Sequence, residues 1–127
     1  MKAAGSIRHA VVCALVVGVF AFIRPAVTPL AASAASDGAA TYAAKCSSCH
    51  KADGKGGGPF PALAGNKSVT AKDPSAIIAE TLNGKGLMPG FKSQLSAADI
   101  AAVLTYVRTS WGNKAPAVTE AQVAAVH

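Results

Sequence analysis

Two cysteines and a histidine stand together at Cys46-Ser47-Ser48-Cys49-His50. A C-x-x-C-H run is the pattern for covalent attachment of a c-type haem. Each thiol adds across one vinyl group of the porphyrin, and the two residues between let one turn of chain span both vinyls. The histidine follows at once, so its imidazole is delivered under the ring as an axial ligand to iron. Haem iron has a second axial site, and a methionine there raises the reduction potential because a thioether favours Fe(II). The chain has two methionines, Met1 and Met88. Met88 lies in Gly84-Lys85-Gly86-Leu87-Met88-Pro89-Gly90-Phe91, followed by proline and flanked by three glycines. That setting suits a ligand loop better than a core methionine filling a gap. The implied cofactor is one covalently attached haem c with its iron, held by Cys46 and Cys49 and ligated by His50 and Met88.

Other chemistry fits less well. A thioredoxin-like redox pair wants a βαβ context, and no alternating strand pattern is found. A zinc site wants two more ligands at metal spacing. The remaining candidates, Cys13, His9 and His127, lie near the chain ends. Asp53-Gly54-Lys55-Gly56-Gly57-Gly58-Pro59 is too rich in glycine for regular structure. No Lys-Ser/Thr pair follows it, so it is a poor phosphate cradle. It better suits backbone passing close to a porphyrin. No paired acids and no Ser-His-Asp set are legible.

An N-terminal C-x-x-C-H, a short helical core and a late Met-Pro loop together resemble a class I cytochrome c. The resemblance covers roughly Ser36 to Gly112 and is nearest to the short single-haem bacterial members. It implies an all-α fold of three to four short helices wrapped around the haem. It also implies uses for several residues. Pro61-Ala62-Leu63-Ala64-Gly65 is similar to the family's Pro-x-Leu-x-Gly stretch. Carried over, the Pro61 carbonyl accepts the Nδ1–H of His50, with Pro59 a nearby competitor, and Leu63 packs on the haem face. Gly38 and Tyr42 would sit where the family crosses its first and last helices, with Tyr106 as the aromatic partner.

The elements that must position these groups are legible to different degrees. Ser36 to Lys45 reads as a helix, capped by Ser36 or Asp37. Asp73-Pro74-Ser75 opens the next, with Asp73 capping and Pro74 at the first helical position. Ile77, Ile78 and Leu82 form its apolar face, and Asn83-Gly84 stops it. Phe91 and Leu95 are expected to close the ligand pocket. Ser96 to Asp99 resembles a capping box. Ile100, Val103, Leu104 and Val107 then recur at i, i+3, i+4 and i+7, an amphipathic helix. Trp111 ends it, either near the haem edge or as a C-terminal cover.

At 127 residues there is room for one domain. Residues 1–34 read as a secretory signal. Lys2 and Arg8 make the charged start, Ala10 to Ile23 is apolar, and Ala32-Ser33-Ala34 is an A-x-A cleavage site. The expected mature domain is 35–127, with a loose tail from about Asn113. An uncleaved, membrane-tethered form is the alternative. Cleavage removes three of the twelve basic residues and none of the six acidic ones, so the formal charge falls from +6 to +3. Two haem propionates would bring it near +1. No basic stripe with interleaved aromatics appears, which argues against a nucleic-acid partner. Haem attachment consumes both cysteines of the exported chain and places it in the periplasm.

With both axial sites filled, substrate cannot reach the iron and one-electron transfer remains. The expected protein is no enzyme but a carrier, with a redox protein as donor and another as acceptor. Lys51, Lys55, Lys85 and Lys92 lie in loops expected near the haem edge, where they would steer an acidic partner. A monomeric shuttle and the cytochrome subunit of a periplasmic dehydrogenase or oxidase complex both fit. A haem enzyme or gas sensor, in which Met88 gives way to a diatomic ligand, fits less well.

Overall fold

The structure is a computed structural model, and it describes residues 36–126. The segment read as a secretory signal, with Cys13 and His9, and the terminal His127 lie outside the described residues. Five helices follow in order: α1 (Gly38–Lys45), α2 (Ser47–His50), α3 (Ser75–Asn83), α4 (Ala97–Thr109) and α5 (Glu120–Ala125). The only β features among the described residues are two isolated bridges, Gly57 with Phe60 and Lys85 with Met88. The all-α expectation stands, with five helices rather than three to four. The additions are α2, which is the turn of the C-x-x-C-H run itself, and α5 in the tail.

Local chemistry sets the helix ends. Asp37, not Ser36, caps α1, its Oδ1 accepting from the backbone N–H groups of Ala39 (3.0 Å) and Ala40 (3.3 Å). The Ser36 hydroxyl instead donates to the Asp99 carboxylate. Ser96 and Asp99 form a full capping box on α4, with Asp99 N–H on Ser96 Oγ at 3.1 Å and Ser96 N–H on Asp99 Oδ2 at 3.0 Å. One carboxylate thus ties the start of α1 to the start of α4. At α3 the expectation shifts by one residue. Pro74 occupies the cap position and the helix begins at Ser75, whose N–H still donates to Asp73 Oδ1 at 2.9 Å.

The frame is the crossing of α1 and α4. A Cβ on Gly38 would land on the Ala102 carbonyl oxygen and lie 3.1 Å from Tyr106 Cβ. Only glycine permits that approach. Beside the crossing Tyr42 and Tyr106 pack at a tilt of 46°, with ring centroids 5.5 Å apart. Trp111 completes a triangle, 5.0 Å from Tyr42 and 5.6 Å from Tyr106. The core is built from Ile77, Ile78 and Leu82 of α3 and Ile100, Val103, Leu104 and Val107 of α4, all buried.

The expectation of a loose tail from Asn113 is corrected. Asn113, Ala115, Val118 and Val123 are buried. Thr105 Oγ1 donates to the Val118 carbonyl (3.2 Å) and accepts from its N–H (2.9 Å). A Thr119–Gln122 capping box starts α5. Val118 and Val123 bury against the back of α4, and that apolar burial holds the tail down. No helix among the described residues is long and apolar enough to cross a membrane.

Candidate functional site

The two cysteines are carried by a single tight turn. Cys49 N–H and His50 N–H both donate to the Cys46 carbonyl, at 3.2 and 3.0 Å, so α2 winds directly off the end of α1. Tyr42 pins the exit of this turn by donating its hydroxyl to the Lys51 carbonyl at 2.7 Å. Cys46 and Cys49 are free thiols, each half-buried. Burial, with the charge of Cys49 second, pushes the Cys46 thiol up to about 11, so it is a neutral thiol at ordinary pH.

His50 is buried, with 8% of its surface exposed. Its Nδ1 lies 3.0 Å from the Pro61 carbonyl. A carbonyl can only accept, so Nδ1 carries the proton and Nε2 keeps its lone pair for a metal. Pro59 has no such contact; it lines the outer part of the crevice. The segment that presents Pro61 is fixed from two sides. Leu63 N–H and Ala64 N–H donate to the Gly54 carbonyl at 2.7 and 3.0 Å. Asn113 donates to the Leu63 carbonyl (3.1 Å) and the Val107 carbonyl (2.8 Å), and accepts from Gly65 N–H (2.8 Å).

Met88 comes from the opposite side. Lys85 and Met88 exchange two backbone hydrogen bonds of 3.0 Å, which close the loop on itself. Gly84 turns at φ +81°, and a Cβ there would meet the Met88 carbonyl oxygen at 2.6 Å. Phe91 N–H and Lys92 N–H then donate to the Thr81 and Leu82 carbonyls at 2.9 and 3.1 Å. The ligand loop is thereby tied to the end of α3.

Between the two sides lies a crevice made of two adjoining cavities that share Cys46, His50, Pro61, Glu80 and Met88. The inner cavity is walled by Leu63, Val69, Ile77, Val103, Leu104 and Val107. The outer one is walled by Cys49, Phe60, Leu87 and Phe91, with Lys45 and Lys85 at its side. Cys46, Cys49, His50, Met88, Pro61 and Leu63 therefore meet in one place. Several expected residues do not. Leu95 packs on the core without lining the crevice. Lys51, Lys55 and Lys92 are exposed away from it, and of the four lysines singled out only Lys85 lines it. Trp111 is a cover on Tyr42 and Tyr106, with Nε1 donating to the Ala52 carbonyl at 3.1 Å. Lys45, Glu80, Arg108 and Asn113 were not anticipated, because nothing in their local sequence separates them from ordinary helix and tail residues.

The donor set fits haem. Two thiols stand on one turn, an imidazole presents a free Nε2, a thioether lies on the facing loop, and the walls are apolar. The sequence matches the family described as cytochrome C oxidase, cbb3-type, subunit III over residues 33–107. It is 41% identical to the cytochrome c subunit of a quinone alcohol dehydrogenase from Gluconacetobacter polyoxogenes, over 72% of this chain and 22% of that protein. The chain thus spans about a fifth of the length of that relative. It is 38% identical to cytochrome c6 from Picosynechococcus sp., over 70% of this chain and 80% of that protein. The crystal structure of cytochrome c6C from Synechococcus sp. PCC 7002 superposes with a TM-score of 0.50 at 27% identity, covering 61% of this chain and 99% of that one. The chain belongs to this family of c-type cytochromes, proteins that carry a covalently attached haem c and its iron and serve in electron transfer.

Proposed function

We propose that this protein is a periplasmic single-haem carrier of single electrons, in which His50 and Met88 would ligate the iron. The observation that carries the reading is the crevice in which Cys46, Cys49, His50 and Met88 converge from α2 and the 84–91 loop. When bound, the haem iron would supply the one-electron redox chemistry, between a donor and an acceptor protein. The chain does the rest. Cys46 and Cys49 would hold the porphyrin through thioethers. The Pro61 carbonyl keeps the His50 ring in one tautomer and one plane. Leu63 and the valines of the inner wall keep water away, which favours the ferrous state. Residues 1–34 act as the secretory signal and 35–127 as the exported domain, in keeping with attachment chemistry outside the cytoplasmic membrane.

Partners approach the outer cavity. Leu87 is the exposed large hydrophobic side chain there, 72% accessible and next in sequence to Met88. Lys45 and Lys85 flank it, Lys85 being paired with Glu80 at 2.5 Å. An apolar spot with a few cations suits a brief, salt-sensitive encounter with an acidic redox protein. The 41% identity to a dehydrogenase cytochrome subunit favours a second reading, an electron exit within a dehydrogenase complex. A partner that co-purifies through salt washes supports that reading, and a free monomer supports the shuttle.

The test is the absorption spectrum of protein exported with haem-attachment machinery. The oxidised form should show the weak red charge-transfer band of sulfur-ligated iron, and Met88→Ala should lose it. Absence of that band in the parent, with ready carbon monoxide uptake when reduced, would overturn the ligand assignment.

A further inference from the structure

Arg108 is the largest fully buried side chain among the described residues, with 0% of its surface exposed. Its guanidinium makes three hydrogen bonds, all to backbone carbonyls. Nη1 donates to Val69 at 2.7 Å, Nη2 to Ala71 at 2.9 Å and Nε to Pro116 at 2.9 Å. None goes to a carboxylate. The two ion pairs among the described residues, Lys55 with Asp53 and Lys85 with Glu80, are elsewhere. The charged side chains on the segments packed around it, Lys67, Lys72, Asp73, Lys114 and Glu120, are exposed and do not bond to it; the Asp73 carboxylate accepts from Ser75 N–H instead. A full positive charge is therefore buried without a counter-ion on the chain. Such burial is expensive and is retained only where something offsets it. The position is informative. Val69, which accepts from Nη1, and Val107, next in sequence to Arg108, both line the inner cavity. The guanidinium sits one residue layer behind that wall.

We propose that Arg108 is a potential-setting residue, a fixed buried cation behind the crevice wall that holds the iron toward its ferrous state. The inference rests on the haem reading above. A ferric centre carries one more positive charge than a ferrous one, so a nearby cation disfavours oxidation. In a low-dielectric interior the effect is not screened away as it would be at the surface. The three carbonyls fix the guanidinium in place and spread its charge without cancelling it. Its position also braces the loop 69–71 and the tail at Pro116 against α4. Those structural contacts can be separated from the charge by experiment.

The test compares parent holoprotein with Arg108→Lys and Arg108→Gln. Spectroelectrochemical titration gives the midpoint, and the red band reports in each variant whether Met88 is still bound. The Gln variant should shift the ferric-to-ferrous balance at a fixed ambient potential toward ferric, on the order of tenfold for a unit charge acting across about 12 Å at an effective dielectric near 20. The Lys variant keeps a charge that can be switched off. A buried lysine loses its proton at lower pH than a free one. The gap between its midpoint and the parent's should therefore widen as pH rises, with the red band retained. Arginine stays charged throughout, so the parent should not follow. If the Gln variant does not accumulate as holoprotein, the Lys titration decides alone. A Lys variant whose midpoint runs parallel to the parent's across the pH range, or a Gln variant at the parent's midpoint with the band intact, overturns the proposal. Loss of the red band already in the parent would instead strike the ligand reading beneath it.

Discussion

Single side chains carry several of the site's constraints, and they differ in what they leave behind when removed. Asn113 uses both amide N–H groups and its carbonyl to hold Leu63, Val107 and Gly65. Asn113→Ala strands those backbone groups in a buried setting and should lower stability by about 2–4 kcal/mol in denaturant melts. Asn113→Asp, which can accept but not donate, should not rescue it. Tyr42 offers a pH-dependent counterpart. Burial above all pushes its phenol up from 10.0 to about 12. The folded pKa is raised, so this contribution is fully present below pH 10 and is lost as pH climbs from 10 toward 12. Tyr42→Phe should lose the bond to the Lys51 carbonyl, costing about 1 kcal/mol. Its stability should also fall less steeply than the parent's in that alkaline window. Cys46, Cys49, His50 and Met88 were legible as residues because their chemistry is rare and their spacing diagnostic. Asn113 and Arg108 were not. Each is an ordinary polar residue whose role depends on carbonyls tens of positions away, such as Val69 and Leu63.

At the scale of elements, the capping logic and helical period carried the sequence reading well, and tertiary burial escaped it. The α4 stripe and the Ser96–Asp99 box are local patterns, and both hold in the structure. The tail offered no long period, only Val118 and Val123 spaced along an alanine-rich stretch. Its order comes from Thr105, Arg108 and the back of α4. The crossing of α1 with α4 makes a direct prediction. Gly38→Ala drives a methyl group into the Ala102 carbonyl. The helices must part, at a cost of about 1–3 kcal/mol. Thermal melts should show the loss while the red band persists, since the ligands sit on other elements. The Asp99 carboxylate adds an acid-side expectation. The Ser36 hydroxyl first, then the Ser96 side chain and backbone, hold it below the usual carboxylate range. A lowered folded pKa gives stability that is present above the unfolded value of 3.8 and lost as pH falls through the folded one. Asp99→Asn should therefore flatten the acid limb of the stability profile, modestly, because the group is near the surface.

For the whole molecule the question is what holds the five short helices of the described residues together. The longest, α4, has 13 residues, and the others have 4 to 9. Isolated helices of such lengths are marginal in water, so their stability must come from packing. The packing is divided. One part is the α1–α4 crossing with its aromatic triangle and the tail on the back of α4. The other is the crevice wall, where Leu63, Ile77, Val103, Leu104 and Val107 face the space between His50 and Met88. A domain this small buries a thin core, and the second part is satisfied only by an apolar partner in the crevice. A double substitution, Cys46→Ala with Cys49→Ala, removes covalent attachment and leaves the rest of the wall unchanged. Its circular dichroism should show reduced helix content and no cooperative thermal transition. Amide exchange should be fastest in the 84–91 loop and raised in α3, whose Ile77 and Thr81 face the crevice while Ile78 and Leu82 pack in the core. Any residual protection should concentrate in α1, α4 and the tail, which have a packing surface of their own. A double variant with the parent's helicity and a sharp melt would mean that the crossing and tail alone specify the fold. In that case the haem would be bound by a structure that is already complete.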